Sequence, residues 1–160
     1  LNPMALADYL AREDVAEKYD WCIIDCPPAF SAGALAALAA ADGVVIPVKV
    51  DAFAIRGMRN MMSQIYNMRR VNAGLEVLGI LPTMFYPSDS QTAKLAELIE
   101  RATAVRLNVF HSIRRSVKVD EMTFAQEALI YSSPKSKSTR DYKLFVRDLV
   151  SDAEGGEADV

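Results

Sequence analysis

Asp25 closes the apolar run Trp21-Cys22-Ile23-Ile24 and is followed at once by Cys26 and the proline pair Pro27-Pro28. A carboxylate in that place has two uses. It can accept backbone N–H bonds as a turn cap. At the carboxyl end of a strand in an open α/β sheet it can instead hold Mg²⁺, directly or through water, and offset the charge of a nucleotide's phosphates. The run itself fits both. A second group lies in Ser-Ile-Arg-Arg-Ser-Val-Lys-Val, residues 112–119, where Arg114, Arg115 and Lys118 place three cations within five residues. Such a cluster suits sequence-independent contact with phosphates. It equally suits a solvated turn balanced by Asp120 and Glu121. Lys135, Lys137 and Arg140 either extend the patch or are loop charges.

Other reactive residue types point away from catalysis. Cys22 and Cys26, the two cysteines, lack the further ligands a metal site needs and are expected as buried thiols. His111 is the single histidine. That excludes a His-rich metal centre, and without a nucleophile elbow a structural or surface role is expected. The glycines are scattered and no Gly-Lys-Ser/Thr occurs, so the backbone cradle of a phosphate loop is missing from this sequence.

The elements that would position these residues follow from periodicity. Strand-length apolar runs at 21–25, 43–48, 75–85 and 109–113 alternate with helical patterns, as in βα units around a mostly parallel sheet flanked by helices. Ser31 can cap a short helix of strong formers that ends at Asp42-Gly43. Phe53, Ile55, Met58, Met62, Ile65 and Met68 recur at helical spacing, and a third helix is expected over about 90–104. After the breaker cluster Ser132–Ser138, a last helix carries Tyr142, Phe145, Val146, Leu149 and Val150 on one stripe. With 160 residues, 51% of them hydrophobic, one domain over 1–150 is expected, followed by an acidic flexible tail at 151–160. The formal charge of -3 excludes a generally basic surface, so any nucleic-acid contact must be local. The longest small-apolar run is broken by Asp42, Gly43 and Pro47 and is too polar to span a bilayer, and a cytoplasmic setting is expected.

From Tyr19 to Met58 the sequence resembles the Walker B region of the ParA/Soj-type partition ATPases, within the deviant Walker A superfamily that includes MinD. The resemblance continues through the stretches at 78–91 (Leu-Gly-Ile-Leu-Pro-Thr-Met-Phe-Tyr-Pro-Ser-Asp-Ser-Gln), 109–122 (Val-Phe-His-Ser-Ile-Arg-Arg-Ser-Val-Lys-Val-Asp-Glu-Met) and 128–142 (Ala-Leu-Ile-Tyr-Ser-Ser-Pro-Lys-Ser-Lys-Ser-Thr-Arg-Asp-Tyr), and covers most of 19–150. It implies a P-loop NTPase-like α/β fold, incomplete at the amino terminus. Asp25 would take the Walker B role and order a magnesium shell, chiefly through water, while Pro27 and Pro28 would belong to the segment that senses the γ-phosphate. Thr83, Met84, Ile113 and Arg114 would fall at the nucleotide-base pocket, although family members usually have Pro where Arg114 stands. Arg115 and Lys118 match basic positions used for nonspecific DNA contact. The resemblance further implies ATP and Mg as cofactors, a homodimer, a centromere-binding partition protein as partner, and a nucleoid-associated cytoplasmic location. Without a phosphate loop, this sequence reads as the carboxyl-terminal portion of such an ATPase and is not expected to hydrolyse ATP by itself. A non-catalytic DNA- or partner-binding module is the alternative. A membrane-cycling relative would need a basic amphipathic final helix, which the ending Ser-Asp-Ala-Glu-Gly-Gly-Glu-Ala-Asp-Val does not provide.

Overall fold

The computed structural model describes residues 2–27 and 29–155. Its elements in chain order are α1 (Ala5–Leu10), α2 (Glu13–Ala16), α3 (Ala32–Ala40), β1 (Gly43–Lys49), α4 (Ala52–Met68), β2 (Glu76–Thr83), α5 (Asp89–Ala104), α6 (Val117–Ala125), α7 (Leu129–Ser132) and α8 (Lys137–Gly155). The chain divides into two compact units, Leu1–Val44 with Met58–Val77, and Val45–Gly57 with Leu78–Val160.

In the first unit α3 forms where expected. The Ser31 hydroxyl accepts the Ala34 N–H at 3.3 Å, and Ala34, Ala37, Leu38 and Ala39 are buried. Its far end is tied down from the loop after α4: the Asn72 amide donates to the carbonyls of Leu38 (3.1 Å) and Ala41 (2.7 Å), two of the acceptors a helix terminus leaves open. Met58, Met62 and Ile65 of α4 are buried, as their spacing predicts; the side chains of Phe53 and Ile55 lie outside the described set. Residues 21–27 correct the reading from sequence. They form no strand; Ile23 is 91% exposed, and Asp25, Cys22 and Cys26 are exposed too, so the thiols are not core residues. Apolar, β-branched composition gives a segment strand propensity, but a strand exists only when a neighbour takes its N–H and C=O groups. Among the described residues no strand pairs with this segment.

The second unit holds most of the sheet. β2 is buried on both faces from Gly79 to Pro82, whereas β1 alternates, with Ile46 and Val48 buried and Pro47 and Lys49 exposed. Two-sided cover, expected for every strand, thus holds for β2 alone of this pair. The segment expected as a strand at 109–113 is reduced to two isolated parallel bridges, Ile80 with Val109 and Phe85 with Arg114. The ladder shows why. Ile80 exchanges bonds with Asn108 and Phe110, but the Pro82 carbonyl is met by the N–H of Ile113 (2.8 Å) rather than of Ser112. One extra residue is therefore accommodated near His111-Ser112. Pro82 has no N–H to return, and Met84 has a left-handed backbone (φ 52°) before pairing resumes at Phe85. Leu81, Phe110 and Ile113 form an apolar cluster closed by Val45, Leu78, Phe145 and Leu149, with the rings of Phe110 and Phe145 edge to face at 5.2 Å. α5 is capped by Ser88 and begins at Asp89, one residue before the expected start at about 90, and it buries Leu98 and Ala102. α8 runs through Ser151–Gly155, where a frayed tail is expected from sequence; residues 156–160 lie outside the described set.

Candidate phosphate-contacting cleft

The bulged end of the 109–114 segment delivers Arg114, Arg115 and Ser116 to the same place as the start of α8. Ser116 caps α6, its hydroxyl accepting the Lys118 N–H at 3.2 Å, and Ser136 caps α8, its hydroxyl accepting the Thr139 N–H at 3.1 Å. Two helix amino termini, each with a partial positive charge and unsatisfied N–H groups, therefore border one cleft. The cleft has a volume of about 340 Å³ and is lined by Tyr86, Pro87, Arg114, Arg115, Ser116, Lys118, Ser136, Lys137 and Ser138. Four of these are cations and none is an acid.

Their charges are not equally available. Lys118 pairs with Glu121 at 2.6 Å, an exposed contact on one helix turn that is worth little and yields readily to another anion. Arg114 binds Asp141 through Nε (2.8 Å) and Nη2 (2.6 Å), and its backbone N–H donates to the same carboxylate at 3.1 Å. Asp141 is fully buried, and His111 Nε2 lies 3.3 Å from its Oδ1. Burial pushes the Asp141 carboxyl up, but the hydrogen bonds and charge of Arg114, with His111, outweigh it and hold the group below the ordinary carboxylate value. The same hydrogen bond raises the Arg114 guanidinium further. Arg115 and Lys137 have no ion-pair partner among the described residues.

Of the residues singled out from sequence, Arg114, Arg115 and Lys118 meet in this cleft. Thr83 ends β2, Met84 follows it exposed, and Ile113 is buried in the apolar cluster. Asp25 and Pro27 belong to the exposed irregular segment of the other unit, and Pro28 lies outside the described residues. Among the described residues no three of His, Cys, Asp and Glu come together to hold a metal ion. Mg²⁺ commonly takes one or two carboxylates, with water and phosphate oxygens completing its shell, so Asp25 fits as a single ligand or water-bridged partner and not as a preformed cage. Asp141 escaped the reading from sequence. Its signal was the spacing to Phe145 and Leu149, four and eight residues on, which puts a carboxylate on the buried face of α8.

With a parallel sheet, flanking helices and this arrangement of strand ends, the fold is that of the P-loop nucleoside triphosphatases. It has a TM-score of 0.76 to the apo form of Cyanothece McdA, at 22% identity over 92% of this chain and 59% of that one. It has a TM-score of 0.77 to cobyrinic acid a,c-diamide synthase from Mycobacterium smegmatis, solved with a bound ATP analog and magnesium, at 26% identity over 97% and 56%. The family model described as an AAA domain matches residues 4–77. The chromosome partitioning protein ParA of Myxococcus xanthus is 33% identical over 143 residues, 88% of this chain and 50% of that protein. Within the P-loop class, the chain belongs to the ParA/MinD superfamily. It spans about half the length of the curated relatives it matches.

Proposed function

We propose that this protein works in ATP-dependent DNA segregation, as a ParA-like ATPase whose basic cleft grips duplex DNA by its phosphates. One observation supports this above others: in a chain of net charge -3, four cations and two helix amino termini converge on one acid-free cleft, with Arg115 and Lys137 unpaired there. Such a surface supplies affinity without base readout. ATP with Mg²⁺ is the nucleotide, and Asp25 supplies the carboxylate for the magnesium shell. A homodimer, a centromere-binding partner protein and a nucleoid-associated location in the cytoplasm complete the reading. No described helix is long and apolar enough to cross a membrane.

The test is a salt titration of affinity for two unrelated duplexes, using full-length, ATP-loaded protein. Arg115→Glu and Lys118→Glu should weaken binding to both duplexes alike, each flattening the salt dependence by roughly one phosphate contact. Both side chains are exposed, so stability should shift by no more than about 0.5 kcal/mol, with circular dichroism as the control. Unchanged affinity in both variants would return the segment to an ordinary solvated turn. Binding that persists undiminished without nucleotide would favour a non-catalytic DNA-binding module.

A further inference from the structure

Arg114 and Arg115 are neighbours in the same cleft, yet their chemistry differs. Arg115 brings a free charge. Arg114 is paired with a fully buried carboxylate, so the pair as a whole is nearly neutral and adds little to the potential of the cleft. What the pair adds is direction. A guanidinium bound through two nitrogens to one carboxylate is fixed in plane and rotation, as a single contact would not fix it. Nε and Nη2 are committed to Asp141, and Nη2 also donates to the Lys137 carbonyl at 3.4 Å. The two N–H groups on Nη1 have no described partner, and Arg114, 31% exposed, lines the cleft.

We propose that Asp141 is a positioning residue, which holds Arg114 so that an Nη1 N–H stands as a fixed donor for a phosphate oxygen in the cleft. This rests on reading the cleft as a phosphate-contacting surface. It adds to that reading a donor set by geometry rather than by net charge, and a buried carboxylate whose presence favours an anion.

The sign of one mutation separates positioning from plain electrostatics. Removing a negative charge beside a basic cleft should by itself tighten the binding of DNA. Releasing Arg114 from its fixed pose should weaken it. In the full-length, ATP-loaded protein, Asp141→Asn and Arg114→Lys are each expected to lower affinity for short duplexes about tenfold, near the low end for one charge-assisted hydrogen bond. The double variant should lose no more than either single one, because both remove the same interaction. Should Asp141→Asn fail to fold, Arg114→Lys bears the test alone, since it keeps the charge beside Asp141 and removes only the fork. Unchanged or tighter binding in a folded variant overturns the proposal.

A second measurement keeps its failure distinct from that of the DNA reading. The Arg114 Nε–H resonance is followed by NMR as inorganic pyrophosphate is added. It should shift in the wild type and not in Asp141→Asn. That result, in a protein that binds no duplex, would refute the DNA reading and uphold the positioning role. A wild-type resonance indifferent to pyrophosphate and to duplex, alongside DNA binding lost in Arg115→Glu, would do the reverse.

Discussion

At the scale of single residues, Asp141 is the side chain with the most at stake. A buried carboxylate is tolerable only while paired and hydrogen-bonded, and truncating it leaves Arg114 without its counter-charge. Because Arg114 is partly exposed and can turn to water, Asp141→Ala should cost about 3 kcal/mol, the low end for breaking such a pair. Thermal or urea unfolding checks this. The acid response follows from the lowered carboxyl. Its contribution to stability is fully present above the ordinary value of 3.8, where the unfolded chain is also ionised, and disappears as pH falls through the lower folded value. Stability curves between neutral and strongly acid pH should show this loss in the wild type and lack it in Asp141→Asn. An identical acid profile in the two proteins would mean the carboxylate is not held as described.

At the scale of elements, the local signals were legible and the pairings were not. α3 could be placed from Ser31, because a cap is a short-range hydrogen bond written into neighbouring residues, and α5 from the helical spacing of its apolar residues. The methionine stripe of α4 was likewise visible. The strands at 21–25 and 109–113 were not decided by their own residues: the first lacks a described neighbour, and the second is broken by an extra residue opposite Pro82. α6 gave no helical stripe to read, and it leaves Val117 and Phe124 exposed. In the site, the cluster Arg114-Arg115-Lys118 stood out, while Asp141 reached it only through the register of α8. Gly79 is a related case. In the sequence it is one of several scattered glycines, but its φ is 153° and an added Cβ would stand 2.8 Å from Phe110 Cε2 and 2.9 Å from the Asn108 carbonyl oxygen. Both the backbone and the neighbouring strand resist a side chain there. Gly79→Ala should therefore destabilise by about 3 kcal/mol, combining conformational strain with overpacking. The urea midpoint should fall at unchanged slope; a midpoint within error of the wild type would show that the strand gives way freely.

At the scale of the whole molecule, residues 21–27 matter more than their number suggests. Trp21 and Ile23 stand exposed in a stretch with strand composition and no described strand beside it, which is the surface that edge-to-edge association uses. The chain alone should therefore self-associate as concentration rises, and Ile23→Lys should suppress this, as charges do on natural sheet edges. Light scattering over a dilution series tests it. A monomer at every concentration, with slow amide exchange along 21–25, would contradict it. The same exposed stretch carries the chain's one tryptophan, Trp21, 52% exposed. Its indole is thus a built-in optical probe of that stretch alone: fluorescence should begin red-shifted in water and move to the blue whenever a strand, from this chain or another, is laid against it.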